Sequence, residues 1–343
     1  MNATPSISVA MAAHNGERFL PEAIDSILNQ SFRDFELLMV DDASSDGTRQ
    51  IILDRARRDS RVRPILRDEQ TRLAGSLNLC LEAARGRYIA RMDADDIALP
   101  ERFARQYAYL EEHPEIAALG SAVQVIDEDG DPIALLGYPN DPKLVESYSL
   151  AGYTPLCHPS TMIRREALRR IDGYDSTVHF CEDYDLWIRL SAVGRLANID
   201  DVLLQYRVHI HSLTYVNHRK KTSMVQAALD RACAQRGLPK IQLAEAHCDR
   251  EVVDPLALRR KLILRAFRGG NMRTGLKHFH TPWRTAPGSR GSVKAAAYRI
   301  QLLPSLLPRV MEQRRRRLRG FAPLSAEQLA VPTFAASVLR AAA

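Results

Sequence analysis

Across its 343 residues the chain has no uninterrupted apolar run of membrane-spanning length, and it opens on strand-like sequence rather than a basic and apolar leader. These absences predict a cytosolic protein. The five cysteines, Cys80, Cys157, Cys181, Cys233 and Cys248, are odd in number and show no CxxC spacing. That argues against a disulfide framework or a zinc knuckle and for reduced thiols. A GxSxG elbow, a Cys and His pair suited to catalysis and a Gly-x-x-x-x-Gly-Lys-Ser/Thr phosphate loop are all missing, so nucleophilic hydrolysis and P-loop chemistry are not indicated.

What is present is the composition of a folded soluble protein, 45% apolar and 26% charged, long enough for one large core with an appendage. The charge is unevenly placed. Residues 241–343 hold 19 Lys and Arg against 6 Asp and Glu, whereas residues 1–240 hold 29 against 35. An acidic body with a basic tail suits a soluble enzyme working against an anionic surface.

The densest chemistry is Arg91-Met92-Asp93-Ala94-Asp95-Asp96-Ile97, three carboxylates in four positions behind the apolar-rich run Tyr88 to Met92. Asp forms strands poorly and repels its neighbours, so the cluster is costly unless a cation neutralises it. It reads either as a turn and helix cap before Pro100 or as a site for Mg or Mn, hard cations that keep open positions for phosphate.

The surrounding pattern favours the second reading. Strands at Ile7 to Ala12, Glu36 to Val40, Val62 to Leu66 and Arg87 to Met92 alternate with helices opened by Pro21 and spanning about Thr48 to Arg57, Leu73 to Ala84 and Pro100 to Glu112. Such alternation predicts an α/β fold with a mostly parallel sheet that binds ligands at the carboxyl ends of its strands. The polar loops after Ala12, Val40 and Met92 all lie at that edge. Strand Ile116 to Ile126, a turn at Asp129-Gly130 and Ile133 to Leu136 predict a hairpin and hence a mixed sheet. A helix begins near Asp183 with Leu186, Trp187, Leu190 and Val193 on its apolar face, and Val202 to Val208 forms a strand before His209 and His211. Residues His218 to Gly237 read as a helix leaving the core.

Six segments in this order resemble family 2 glycosyltransferases of the GT-A fold: Ser8 to Asn15, Ser26 to Phe32, Val40 to Thr48, Asp93-Ala94-Asp95-Asp96, Glu182 to Trp187 and Tyr206 to His209. The likeness covers about residues 5 to 215. It implies a GT-A catalytic domain at 1–215, followed by a basic helical region at 216–343. The implied activity is inverting transfer of a sugar from a nucleotide diphosphate sugar, a UDP-sugar favoured, to a glycan or lipid-linked acceptor of surface polysaccharide.

Carried over by position, the resemblance implies that Ala12, Asn15, Glu17 and Asp42 line the nucleoside pocket. Asp93 and Asp95 match the DxD acids for ribose and metal, Asp96 an extra metal acid, Asp183 the catalytic base and His209 a position near the diphosphate. Two positions depart from the family pattern. His14 stands where Pro-x-Tyr-Asn has its aromatic, and Arg72 stands where a Gly is common, within reach of a phosphate.

Beyond about residue 240 the resemblance ends. Leu256 to Phe267 forms an amphipathic basic helix, and Leu302 to Pro308 precedes Arg314 to Arg319. Basic clusters beside apolar residues suit the anionic inner face of a plasma membrane, or else a charged helix that packs back on the catalytic domain. Two other classes remain open. A nucleotidyltransferase also uses paired carboxylates and a metal, but usually carries a Gly-rich loop with Lys where this chain has Glu17 and Arg18. A polyanion or nucleic-acid binder would place basic residues and aromatics over the sheet, whereas here that edge is acidic, so no nucleic-acid partner is expected.

Overall fold

The computed structural model describes residues 4–209, 221–243 and 255–280. Four apolar runs become the parallel half of one sheet: β1 (Ile7–Ala13), β2 (Phe35–Asp42), β3 (Val62–Arg67) and β4 (Tyr88–Asp93). Every residue of β2 is buried and only Ala12 of β1 is half-exposed, as expected of strands covered on both faces. The crossovers are α1 (Leu20–Leu28), α2 (Thr48–Arg58) and α3 (Arg72–Ala83). Helix α1 turns Leu20, Ala23, Ile24 and Ile27 inward, a stripe at helical spacing.

The chain then continues through β5 (Ile97–Ala98), α4 (Arg102–Glu112), β6 (Ile116–Ile126), β7 (Pro132–Leu136), α5 (Pro142–Leu150), β8 (Met162–Arg164), α6 (Arg165–Arg170), α7 (Glu182–Leu190) and β9 (Arg195–Arg207). The strand order is β3-β2-β1-β4-β8-β6-β9-β5, with β7 paired to β6. Strand β8 is antiparallel to both neighbours, β6 runs parallel to β9, and β5 is antiparallel to β9. The sheet is therefore mixed, as the hairpin at Asp129-Gly130 implied.

This order positions the site. From β1 the chain winds outward through β2 and β3, then returns to place β4 on the other side of β1. The reversal opens a crevice beyond the carboxyl ends of β1 and β4. Register brings Ala12 beside both Val40 and Asp93, and Ala13 beside Asp41, so the three polar loops meet there.

Three further helices follow: α8 (Lys221–Gln235), α9 (Pro255–Arg268) and α10 (Met272–His280). Helix α8 does not leave the core. Its Val225, Ala228, Leu229, Ala232 and Cys233 pack on Tyr184 and Ile188 of α7. The basic helix expected at Leu256 to Phe267 is α9, and its Leu262 and Ala266 lie against Val125, Ile133 and Val208. His211, Leu302 to Pro308 and Arg314 to Arg319 lie outside the described residues. Among the described residues no helix is long and apolar enough to cross a membrane. Cys80, Cys157, Cys181 and Cys233 are buried, while Cys248 is not among the described residues.

Candidate active site

At the end of β1 the loop turns sharply, with Asn15 at φ 51°. It is stitched to the loop after β2: Asn15 N–H donates to Ser44 Oγ (3.1 Å), Ser45 N–H to Asn15 Oδ1 (2.8 Å), Glu17 N–H to Asp46 Oδ2 (3.1 Å) and Gly47 N–H to Glu17 Oε2 (2.7 Å). Asn15 and Glu17 thus fix the shape of the rim. Asp46 also accepts from Thr48 N–H at 3.0 Å, so the start of α2 is capped by Asp46.

Asp41 and Asp42 do different work. Asp41 is fully buried and pairs with Arg49 Nε at 2.7 Å. Asp42 caps α3 from outside: its Oδ1 accepts Thr71 N–H (2.7 Å) and Thr71 Oγ1 (2.9 Å), and its Oδ2 accepts Arg72 N–H (2.9 Å). A carboxylate facing a helix N-terminus is favoured by the helix dipole as well as by these bonds. Arg72 takes the left-handed conformation at φ 60° with an exposed side chain at the mouth of the crevice. His14 donates from Nδ1 to Asp42 O (2.9 Å), which leaves Nε2 to accept from the Gln70 amide (2.8 Å), a tautomer assigned from the partners. Asp42→Ala strands these donors, and a loss of about 1–3 kcal/mol is expected, measured by urea unfolding. A change below about 0.5 kcal/mol would contradict the capping role.

The acidic cluster closes the other side. Asp93, Asp95 and Asp96 each offer a carboxylate oxygen, all within 4.8 Å of one another. Three buried guanidiniums frame them. Arg91 Nη1 lies 2.5 Å from Asp93 Oδ1. Arg102 donates to the carbonyls of Arg91 (2.6 Å) and Thr161 (3.2 Å), fixing the end of β4. Arg207 donates from Nε to Asp95 O (2.8 Å), from Nη2 to Glu22 Oε2 (2.6 Å) and from its backbone N–H to Asp96 Oδ1 (2.8 Å). His209 Nε2 lies 2.9 Å from Asp95 Oδ2, and its ring stacks at a tilt on Phe19, centroids 5.0 Å apart.

Asp96 is wholly buried, yet its Oδ2 has no hydrogen-bond partner. Burial, then the charges of Asp95 and Asp93, push its carboxyl well above the usual range. Burial also raises Asp93, opposed by Arg91 and assisted by Asp95 and Asp183. A buried oxygen with no donor among crowded carboxylates is what a divalent cation relieves, so this donor set fits Mg or Mn.

Asp183 lies in the first turn of α7, where its Oδ1 accepts Tyr184 N–H at 2.8 Å. The helix is anchored beneath it: Tyr184 Oη donates to Ser149 O (2.6 Å), and Asp185 pairs with Arg189 (2.7 Å) and Arg231 (2.9 Å). Trp187 is buried edge-on to His158 at 5.7 Å, and His158 Nε2 meets Tyr174 Oη at 2.7 Å. Burial holds the imidazole of His158 well below its ordinary value, with the charge of Arg91 adding to the effect. The charge of Asp183 adds to the upward push on Asp93, after burial, Arg91 and Asp95. Of the residues singled out in the sequence, Ala12, Asn15, Glu17, Asp42 and Arg72 lie at the ends of β1 and β2, in the loop after β1 and at the start of α3. Asp93, Asp95, Asp96 and His209 gather beyond the end of β4, and Asp183 lies at the start of α7.

Sequence reasoning missed the framing arginines. Arg91 carried a signal, a charge on an otherwise apolar strand two residues before Asp93 and hence on the same face. Arg207 lay within the Tyr206 to His209 segment but was given no role, and Arg102 carried no signal. Tyr138 was also missed; burial pushes its phenol well above the usual range, with Cys157 and the charge of Asp183 adding to the effect.

A family model described as glycosyl transferase family 2 matches residues 8–172. The putative glycosyltransferase EpsE of Bacillus subtilis is 41% identical over 211 residues, 60% of this chain and 74% of that one. The O-antigen biosynthesis glycosyltransferase WbnJ of Escherichia coli is 34% identical over 209 residues, 59% and 80% of the two chains. Among solved structures, S. aureus TarS in complex with UDP-GlcNAc aligns with a TM-score of 0.55 at 18% identity, covering 80% of this chain and 79% of that one. The mannosyltransferase PcManGT from Pyrobaculum calidifontis, in complex with GDP-Man and Mn2+, aligns with a TM-score of 0.51 at 18% identity, covering 91% and 85%. These two likenesses establish the shared GT-A architecture, and the identity to the curated relatives carries the rest: the chain belongs to glycosyl transferase family 2 and is an enzyme of that class.

Proposed function

We propose that this chain is a metal-dependent, inverting glycosyltransferase that moves a sugar from a UDP-sugar to a hydroxyl of a glycan or lipid-linked acceptor in the assembly of a surface polysaccharide. The observation that carries it is the buried, unpartnered Oδ2 of Asp96 among three converging carboxylates at the switch point of the sheet. The UDP-GlcNAc complex of TarS and the GDP-Man and Mn2+ complex of PcManGT support a nucleotide sugar with a divalent cation. The naming of WbnJ for O-antigen biosynthesis supports the polysaccharide. Residues 1–215 serve as the catalytic domain, and 216–343, which include α8, α9 and α10, are an addition to it.

In this reading Ala12, Asn15, Glu17 and Asp42 line the nucleoside pocket, Asp93 meets the ribose, and Arg72 reaches a phosphate from the rim. Asp95 and Asp96 would hold Mn or Mg, with His209 beside Asp95. When bound, the cation supplies Lewis-acid stabilisation of the leaving diphosphate. Asp183 takes the proton of the acceptor hydroxyl as its oxygen attacks the anomeric carbon from the face opposite the diphosphate. One carbon–oxygen bond forms as the bond to the diphosphate breaks, so configuration inverts.

A panel of UDP-, GDP- and dTDP-sugars, assayed with Mn2+, Mg2+ or chelator, tests this. Metal-dependent release of UDP is the expected result. Release of pyrophosphate instead would mark a nucleotidyltransferase, and failure of every nucleotide sugar to bind would overturn the reading.

A further inference from the structure

The turn joining β6 to β7, Asp127-Glu128-Asp129-Gly130-Asp131, stands between two cations. On one face is Lys277 of α10, whose ammonium lies 2.8 Å from Asp127 Oδ2, 2.8 Å from Asp129 Oδ2 and 2.6 Å from Asp131 Oδ2. His278 Nε2 adds a contact to Asp127 Oδ2 at 3.0 Å. The other oxygen of Asp127 accepts the turn's own N–H groups, Asp129 at 3.0 Å and Asp131 at 2.9 Å. On the opposite face is Arg207. Its Nη1 donates to the carbonyls of Glu128 (3.1 Å) and Asp127 (3.3 Å), while the same guanidinium and its backbone hold Asp95 and Asp96.

A second contact reaches the same place independently. Leu262 and Ala266 of α9 pack on Val208, the residue between Arg207 and His209, together with Val125 and Ile133. The link between α9 and α10 sits directly on the β7 backbone. Asn271 Nδ2 donates to Ile133 O at 2.8 Å, and a Cβ on Gly269 would stand 2.7 Å from that same oxygen.

We infer that α9 and α10 form a buttress for the acidic cluster, and that Lys277 is a positioning residue acting on it through the β6–β7 turn and Arg207. Without the ammonium, the three aspartates that it bridges repel one another and the turn opens. Its carbonyls then move from Arg207, which loses its hold on Asp95 and Asp96. Outer groups that orient metal ligands typically matter by about 10-fold to 100-fold in metal affinity. This inference rests on the metal reading of the cluster above.

The test is Mn2+ binding to the full chain, followed by electron paramagnetic resonance of free Mn2+ without any donor sugar. Lys277→Met is expected to weaken binding by about 10-fold. Adding Asp129→Asn and Asp131→Asn to that variant removes the repulsion and is expected to restore most of the affinity. A role confined to overall stability would lower the melting temperature of both variants with no such recovery. Should Lys277→Met not accumulate as folded protein, the combined variant is read against Asp131→Asn alone. Wild-type binding with Lys277→Met within twofold of it would overturn the inference and leave the metal site standing. Absence of Mn2+ binding by the wild type would overturn both.

Discussion

Asp183→Asn is expected to lower kcat by about 100-fold to 10,000-fold with the affinity for UDP and for Mn2+ unchanged. Asp183 opens α7 and is not among the three carboxylates that converge within 4.8 Å, although its charge adds to the upward push on Asp93. The helix beneath it is held by Tyr184, Asp185 and Trp187, none of which needs the Asp183 charge. An amide keeps the shape and the acceptor oxygen for Tyr184 N–H while losing the ability to take a proton. The defect should therefore appear in turnover and spare donor binding. Equal losses in kcat and UDP affinity would show that Asp183 shapes the donor pocket instead.

Asp96→Asn is expected to act with opposite signs with and without metal. In the metal-free protein Asp96 is a buried acid whose folded pKa lies above its unfolded value. Such a group weakens the fold as pH rises from the unfolded value of about 4 through the folded one. Removing the charge should raise the melting temperature at neutral pH, since an asparagine oxygen can still accept from Arg207 N–H. With Mn2+ the order reverses. The wild type gains about 2.7 kcal/mol at a metal concentration 100-fold above its Kd, while the variant, missing one ligand charge, gains far less and loses glycosyl transfer. Thermal unfolding at neutral pH with and without Mn2+ checks both signs; a wild type indifferent to Mn2+ contradicts the account.

The parallel half of the fold was legible in the sequence because its strands are short apolar runs punctuated by turn residues. Strand β6 matches the expected Ile116 to Ile126, and α3 and α4 differ from expectation by one or two residues at their ends. Of the antiparallel half only the β6–β7 hairpin was. Strands β5 and β8 have two and three residues, too few for a period to show. Strand β9 starts at Arg195, well before the expected Val202, because Asn198, Asp200 and Asp201 interrupt its apolar pattern. The amphipathic character of the C-terminal helix was read correctly, but an apolar stripe does not say what covers it. Here Leu262 and Ala266 are covered by Val125, Ile133 and Val208.

For the site, residue types announced the acids but not their division of work. Asp41, Asp42 and Asp46 sit in one loop, yet they respectively bind Arg49, cap α3 and cap α2. Asp42 finds its partner 29 residues on, whereas Arg49 and Thr48 lie 8 and 2 residues from their acids, and the residue types of the loop do not say which acid takes which role. The same holds for Arg207, whose contacts with Asp95, Asp96 and Glu22 span more than 100 residues of chain.

Anomalous diffraction from crystals soaked in MnCl2 and UDP tests the central claim most directly. A manganese peak within about 2.5 Å of carboxylate oxygens of Asp95 and Asp96, shared with the UDP diphosphate, is the result expected. UDP bound in the crevice with no manganese beside these carboxylates, or manganese bound elsewhere, would contradict it.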